Sequence, residues 1–220
     1  NSYAKFLQSY LNSLYTLNGS KNIFLNGVDD NRLTTKVGRE FLDFNKQFTI
    51  ISRTTFGLIQ ELIKHIHNKK KLFFEGGYNS YSFMNQTVYS IFYLKNRKND
   101  KITIDEIKNF DTIFELETFA KETKNQDYLN IIRFVNSYGD NIFEINKKIK
   151  EYLVSNKDEA DIIFTTAHKA KGMEYNQVIM TDDFITKKDI LNRKKNLSFA
   201  SICEELNIYY VAIIALNSLF

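Results

Sequence analysis

Asp161-Ile-Ile-Phe-Thr-Thr-Ala-His-Lys-Ala-Lys-Gly-Met-Glu-Tyr175 is the stretch on which the fold turns. Ile162, Ile163 and Phe164 form a continuous apolar run with the length and branching of a core strand. A hydroxyl, a histidine, two lysines, a glycine and a glutamate follow, where the strand hands over to a loop or helix start. In open α/β sheets that handover is where ligands bind, in the crevice beyond the carboxyl ends of the strands. A second apolar run, Val178-Ile-Met180, comes at once and ends in Thr181-Asp182-Asp183. Two short strands around a basic, glycine-containing turn mark a candidate site for a polyanion.

Upstream, Phe48-Thr-Ile-Ile-Ser-Arg53 is a β-branched run of the kind buried on both faces of a parallel sheet. Phe56 to His67 has helical periodicity and Lys71-Leu-Phe-Phe74 reads as the next strand, a β-α-β order that predicts an α/β domain with right-handed crossovers. From Ser80 to Glu159 the strand signals vanish. Ser82–Tyr93 is aromatic and helical in pattern, Asn96–Asp100 is polar, and three further helical stretches are expected near 103–121, 125–137 and 141–153. The expected organisation is an α/β domain made of residues 1–79 and 160–220, interrupted by a helical insertion over 80–159. Before the first strand, Tyr3–Leu17 predicts an amphipathic helix ended by Asn18-Gly19, Asn22–Leu25 a short strand, and Thr35–Phe44 a further helix.

Composition narrows the classes. With 43% hydrophobic and 15% aromatic residues in 220, the chain can bury a core, which excludes global disorder. No apolar run approaches the length of a transmembrane helix, so no membrane partner is expected. The amino end carries neither a signal-peptide pattern nor an initiator Met, so a fragment or processed chain is expected. A single cysteine, Cys203, excludes a disulfide framework within the chain and fits a reducing compartment, cytoplasmic or nuclear. The formal charge of +4 permits nucleic-acid binding without demanding it.

The cluster after the strand has a chemical logic. Lys169 and Lys171 can neutralise phosphates, and Thr166 and His168 can bond phosphate or sugar oxygens. Gly172 lets backbone approach a phosphate, and Glu174 can accept from ribose hydroxyls. The plain alternative is a solvated loop that is basic by chance. Elsewhere the plain readings lead. His65 and His67 stand two apart near a helix end, a spacing that does not put two ligands on one face, so no metal site is expected. Lys69-Lys70-Lys71 is a solvated helix end or a DNA-backbone contact. Tyr78, Tyr81, Phe83, Tyr89, Phe92 and Tyr93 are core of the insertion or a platform for stacking bases. Asp182 and Asp183 are adjacent on a strand and point to opposite faces, which argues against a metal pair.

Thr166-Ala-His168-Lys-Ala-Lys171-Gly172-Met-Glu174 resembles the T-x-H-x-x-K-G-x-E pattern of motif V in superfamily 1 DNA helicases of the UvrD/Rep type. The continuation to Thr181-Asp182-Asp183-Phe184 looks most like the F-box DNA helicase branch. Glu204-Glu205-Leu-Asn207-Ile-Tyr-Tyr210-Val211-Ala212 resembles the start of motif VI, E-E-x-N-L-L-Y-V-A-x-T-R-A. Ser52-Arg53-Thr54 resembles the R-T-N element, and Phe74-Glu-Gly76-Gly77 the glycine turn that follows it.

The resemblance implies a RecA-like parallel sheet with flanking helices, interrupted by a small helical insertion in the position of that family's 2B subdomain. It implies the C-terminal part of an ATP-dependent DNA helicase, inactive as an ATPase alone, with a non-catalytic DNA-binding domain or a degenerate remnant as alternatives. Arg53, Thr166, His168, Lys169 and Lys171 would contact single-stranded DNA, while Gly172 and Glu174 would belong to the nucleotide site. For Arg53 the alternative is a strand-end arginine paired with a carboxylate. No catalytic residue is assigned. ATP with Mg2+ is expected only if the chain is joined to a first motor domain, because G-x-x-x-x-G-K-[ST] is absent. The expected partners are thus single-stranded DNA and that missing N-terminal domain. Two departures stand out. Thr55 replaces the family Asn, and after Val211-Ala212 the motif VI arginine is missing, with Ile213-Ile214-Ala215 in its place.

Overall fold

Every residue of Phe48–Ser52 (β1) and of Ile162–Thr166 (β3) is buried, as continuous apolar runs require of strands covered on both faces. The computed structural model describes residues 8–9, 11–13, 16, 39–81, 85–186, 188–189 and 198–215. Within them Leu72–Phe74 (β2) and Val178–Met180 (β4) complete a four-stranded, all-parallel sheet in the order β2-β3-β1-β4. The two central strands pair in register from Phe48 opposite Ile162 to Ser52 opposite Thr166. The α/β reading with a parallel sheet is therefore correct.

Strand alternation sorts the side chains. Phe48, Ile50, Leu72, Phe74, Ile162 and Phe164 face one side, against Leu58, Ile59 and Leu62 of helix α1, Thr55–His65. On the other side Ile51 and Ile163 meet Ala167, Ala170, Tyr175 and Phe184, together with Ile208 and Ala212 of the last helix, Phe199–Ile214.

Between β2 and β3 the described residues hold helices and no sheet strand: α2 (Gln86–Lys95), α3 (Asp105–Lys108), α4 (Ile113–Glu122), α5 (Gln126–Tyr138) and α6 (Asn141–Tyr152). The last helix is accordingly α7. Side-chain caps start several of them. Asn85 accepts from the Val88 amide, Thr112 from Glu115 and Asn125 from Tyr128; each such cap contributes about 1 kcal/mol. Thr112 explains why the helical stretch expected over 103–121 is two helices: its cap starts α4 afresh after the break at 109–112. Ile91, Leu94, Leu116, Ile132, Phe134, Ile142 and Ile149 join the α1 face of the sheet in one uninterrupted apolar cluster. After α6 the Val154 amide bonds the Leu72 carbonyl at 2.9 Å, bringing the chain back beside β2.

The aromatic series is largely core. Tyr81 and Phe92 are buried, and Tyr78, Tyr89 and Tyr93 pack against the same cluster. Phe83 lies outside the described residues, as do the strand expected over Asn22–Leu25 and most of the helix expected over Tyr3–Leu17. Of Thr35–Phe44 only 39–44 is described, with a 3-10 helix at Arg39–Phe41. Cys203 is half-buried on α7. No described helix is long and apolar enough to cross a membrane.

Candidate functional site

β1 and β3 lie side by side, but the chain leaves their carboxyl ends toward opposite faces. After Ser52 it enters α1 on one side, and after Thr166 it enters the Ala167–Tyr175 turn on the other. Diverging exits of this kind open a crevice at the strand ends. Here the crevice has a volume of about 700 Å³, within the range of small-molecule sites. Arg53, Thr54, Thr166 and His168 line it from the sheet side, and Asn85, Asn125, Gln126 and Tyr128 from the starts of α2 and α5.

The crevice floor is fixed by Asp183. Its carboxylate accepts from the Arg53 amide at 2.9 Å, the Thr54 amide at 2.8 Å, the Thr54 hydroxyl at 2.7 Å and the Thr181 hydroxyl at 2.5 Å. Thr54 in turn caps α1 by accepting from the Gly57 amide at 2.9 Å. Gly57 has to be glycine because a β-carbon there would stand 2.1 Å from Asp183 Oδ2.

Arg53 is held from the opposite face. Its Nε and Nη2 donate to the two oxygens of Glu205 on α7, each at 2.7 Å. These hydrogen bonds hold the guanidinium above its ordinary range, although burial alone would lower it. Arg53 is thus both a wall of the crevice and the carboxylate-paired strand-end arginine of the alternative reading.

The other predicted residues divide. Thr166 is buried at the end of β3, and the exposed His168 follows it on the crevice. Lys169 turns back onto the protein, donating to the Ser80 hydroxyl at 3.0 Å and lying 4.9 Å over the Tyr81 ring. Lys171, Gly172 and Glu174 are exposed on the turn, and none of the three lines the crevice. Gly172 adopts φ +79° with open space where a β-carbon would sit, so glycine is needed there for its conformation and not for want of room. The turn closes when the Tyr175 amide donates to the Ala215 carbonyl at 2.9 Å.

His65 packs edge-on against Phe48, while His67 faces Lys148. Among the described residues no group of three His, Cys, Asp or Glu side chains is placed to hold a metal. Sequence reading missed the anchor Asp183, the partner Glu205, and Asn85 and Asn125 at the helix starts. Only the asparagines carried a local signal, since Asn85 and Asn125 each stand just before a helix.

The missing arginine falls on Ala215 if motif VI is read without a gap and on Ile214 if one residue is deleted, and the end of α7 distinguishes these positions. Ala215 is 2% exposed and packed under Tyr175, whereas Ile214 is 48% exposed. Ala215→Arg is expected to cost about 2–4 kcal/mol by overpacking and burying a charge. Ile214→Arg is expected to stay within about 0.5 kcal/mol of the parent. Urea denaturation of the two variants checks the contrast.

A family model for the UvrD-like helicase C-terminal domain matches residues 5–214. Among curated proteins, the chain is 25% identical over 183 residues to F-box DNA helicase 1 of Gallus gallus, covering 76% of the chain and 18% of that protein. It is 30% identical over 115 residues to F-box DNA helicase protein 1 of Schizosaccharomyces pombe, covering 49% of the chain and 13% of that protein. The chain thus spans less than a fifth of either relative. No solved structure matches it.

Proposed function

Because this chain belongs to the UvrD-like helicase C-terminal domain family, we propose that it is the C-terminal part of an ATP-dependent DNA helicase, gripping single-stranded DNA while ATP binds between it and a first motor domain. The observation that carries this reading is the convergence of Arg53, Thr166 and His168 on one crevice at the strand ends. A guanidinium, a hydroxyl and an imidazole there can hold the phosphates and sugars of a strand without reading its sequence. Lys171 extends the basic surface, and Lys169 joins it on leaving Ser80 and Tyr81. Gly172 and Glu174, on the exposed side of the same turn, face the nucleotide. Residues 80–159 take the place of the family's 2B subdomain.

ATP turnover requires groups from elsewhere. The sequence has no phosphate loop. ATP with Mg2+ would be held together with the first motor domain. Neither Ile214 nor Ala215 can stabilise charge on a transferring phosphoryl group as an arginine would. A DNA-binding domain without ATP hydrolysis is the second reading, favoured by the packing of Ala215 in the core. For the chain alone, the expected result is weak, salt-sensitive binding of single-stranded DNA by fluorescence anisotropy, with no DNA-stimulated ATPase in a coupled assay. ATP turnover by the chain alone would overturn this reading.

A further inference from the structure

Three helices begin at the same crevice. Thr54 and Thr55 open α1, Asn85 and Thr87 open α2, and Asn125 and Gln126 open α5, and all six line the cavity. Each of these helices has ten or more residues, so each presents partial positive charge and backbone N–H groups at its start. Convergence of helix starts gains meaning from what lies between them. Thr166 is 6% exposed, and its hydroxyl lines the crevice without a hydrogen-bond partner among the described residues. A hydroxyl that opens onto the crevice with no protein partner is free to donate to, or accept from, a ligand oxygen.

The asparagines complete the pattern. Asn85 Oδ1 and Asn125 Oδ1 accept from the Val88 and Tyr128 amides. Those bonds fix each side chain, and neither amide nitrogen donates to a described residue. Arg53 is similarly half-used: Nε and Nη2 serve Glu205, while Nη1 has no described acceptor. One group opposes an anion. Asp127, in the first turn of α5, is exposed on the same wall and repels negative charge there.

We propose that the insertion forms the second wall of the strand-binding crevice. A DNA phosphate sits beside Arg53 Nη1 and the Thr166 hydroxyl, and the amide groups of Asn85 and Asn125 donate to sugar and base oxygens of the adjoining nucleotide. This assignment rests on the single-stranded DNA reading above and adds to it residues from outside the sheet. It also makes most of the added contacts uncharged, because the asparagine amides carry no formal charge. Affinity contributed by the asparagines is then independent of salt, unlike that from Arg53.

The test uses the full chain and a labelled oligothymidylate of roughly 16 nucleotides, a length suited to single-strand sites. Asn85→Ser with Asn125→Ser keeps both caps, since serine caps helices as well as asparagine, and removes the amide donors. The expected result is affinity lower by about tenfold with an unchanged salt slope and an unchanged melting temperature. Arg53→Gln is expected to lower the slope of log affinity against log salt by about 1. Asn99→Ser, at an exposed position that does not line the crevice, serves as the control. If the wild-type chain binds the oligonucleotide and the double variant binds it equally well, the insertion wall is refuted while the DNA reading stands. If the wild-type chain does not bind at all, the DNA reading itself fails, and this assignment with it.

Discussion

Asp183→Ala is expected to destabilise the protein by about 3–4 kcal/mol, while Asp182→Ala next to it changes stability by less than about 0.5 kcal/mol. The difference follows from what each carboxylate holds. Asp183 accepts two backbone amides and two hydroxyls at the start of α1, whereas Asp182 is exposed on the turn. Bonds to an ionised acceptor are worth about 1.5–3 kcal/mol each, but they share one side chain and do not simply add. Water from the crevice repairs part of the loss, which keeps the total below their sum. Gly57→Ala tests the same contact from the other side, since its new β-carbon would lie 2.1 Å from Asp183 Oδ2. It is expected to destabilise the parent by about 2–3 kcal/mol and the Asp183→Ala variant by far less. Guanidinium denaturation of the four proteins gives the cycle; simple additivity would show that Asp183 and Gly57 do not share this contact.

Alkaline pH is expected to unfold the protein cooperatively. Burial pushes the Tyr81 phenol up to about 12, outweighing a hydrogen bond with Thr165 that lowers it. Burial, followed by the bond to Glu106, likewise raises Tyr128 to about 12. The same cause carries Tyr78 and Tyr175 above the usual tyrosine range. These phenols stay protonated in the folded chain at pH values where the unfolded chain releases its protons. Between those values the folded state therefore holds more protons, and stability falls as pH rises. The contribution is complete below pH 10, the ordinary tyrosine value, and is lost as pH climbs through about 12. The Tyr81 phenol contributes at most about 2–3 kcal/mol, and solvent screening makes the Tyr128 contribution smaller. Denaturant unfolding followed across this window, with phenolate absorbance as a second probe, should show the two signals changing together. Tyr175→Phe should move the transition upward, because burial and then the Glu75 carboxylate hold that phenol protonated in the folded chain. Tyr128→Phe should cost stability near neutral pH, since it forfeits the 2.6 Å bond to Glu106. A midpoint unmoved by Tyr175→Phe would exclude that phenol as a driver.

The central strands were legible because β1 and β3 are apolar without interruption, which only double-sided burial explains. Helices were legible by period, though α3 and α4 merged into one, because the break at 109–112 contains Phe110 and so preserves the apolar count. The candidate site was legible only in part. Thr166, His168 and Arg53 were found as pieces of linear motifs, and each is fixed by its place at a strand end. Glu205 and Asp183 act on Arg53 and its neighbour across 152 and 129 positions, and no local pattern encodes a partner so remote. Asn85 and Asn125 are locally plain capping residues. That they open onto the crevice of a strand far away in sequence depends on how the helices pack.

The apolar cluster that runs without a seam from the sheet into the helices bears on how this chain can be altered or inherited. Residues 80–159 cannot be excised as a module, since that would uncover Leu58, Leu62, Phe74 and Phe164 together. A graft from a relative would have to match those side chains as closely as a domain's own interior does. Substitutions on these helices are therefore bound to the shape of the sheet face that they cover.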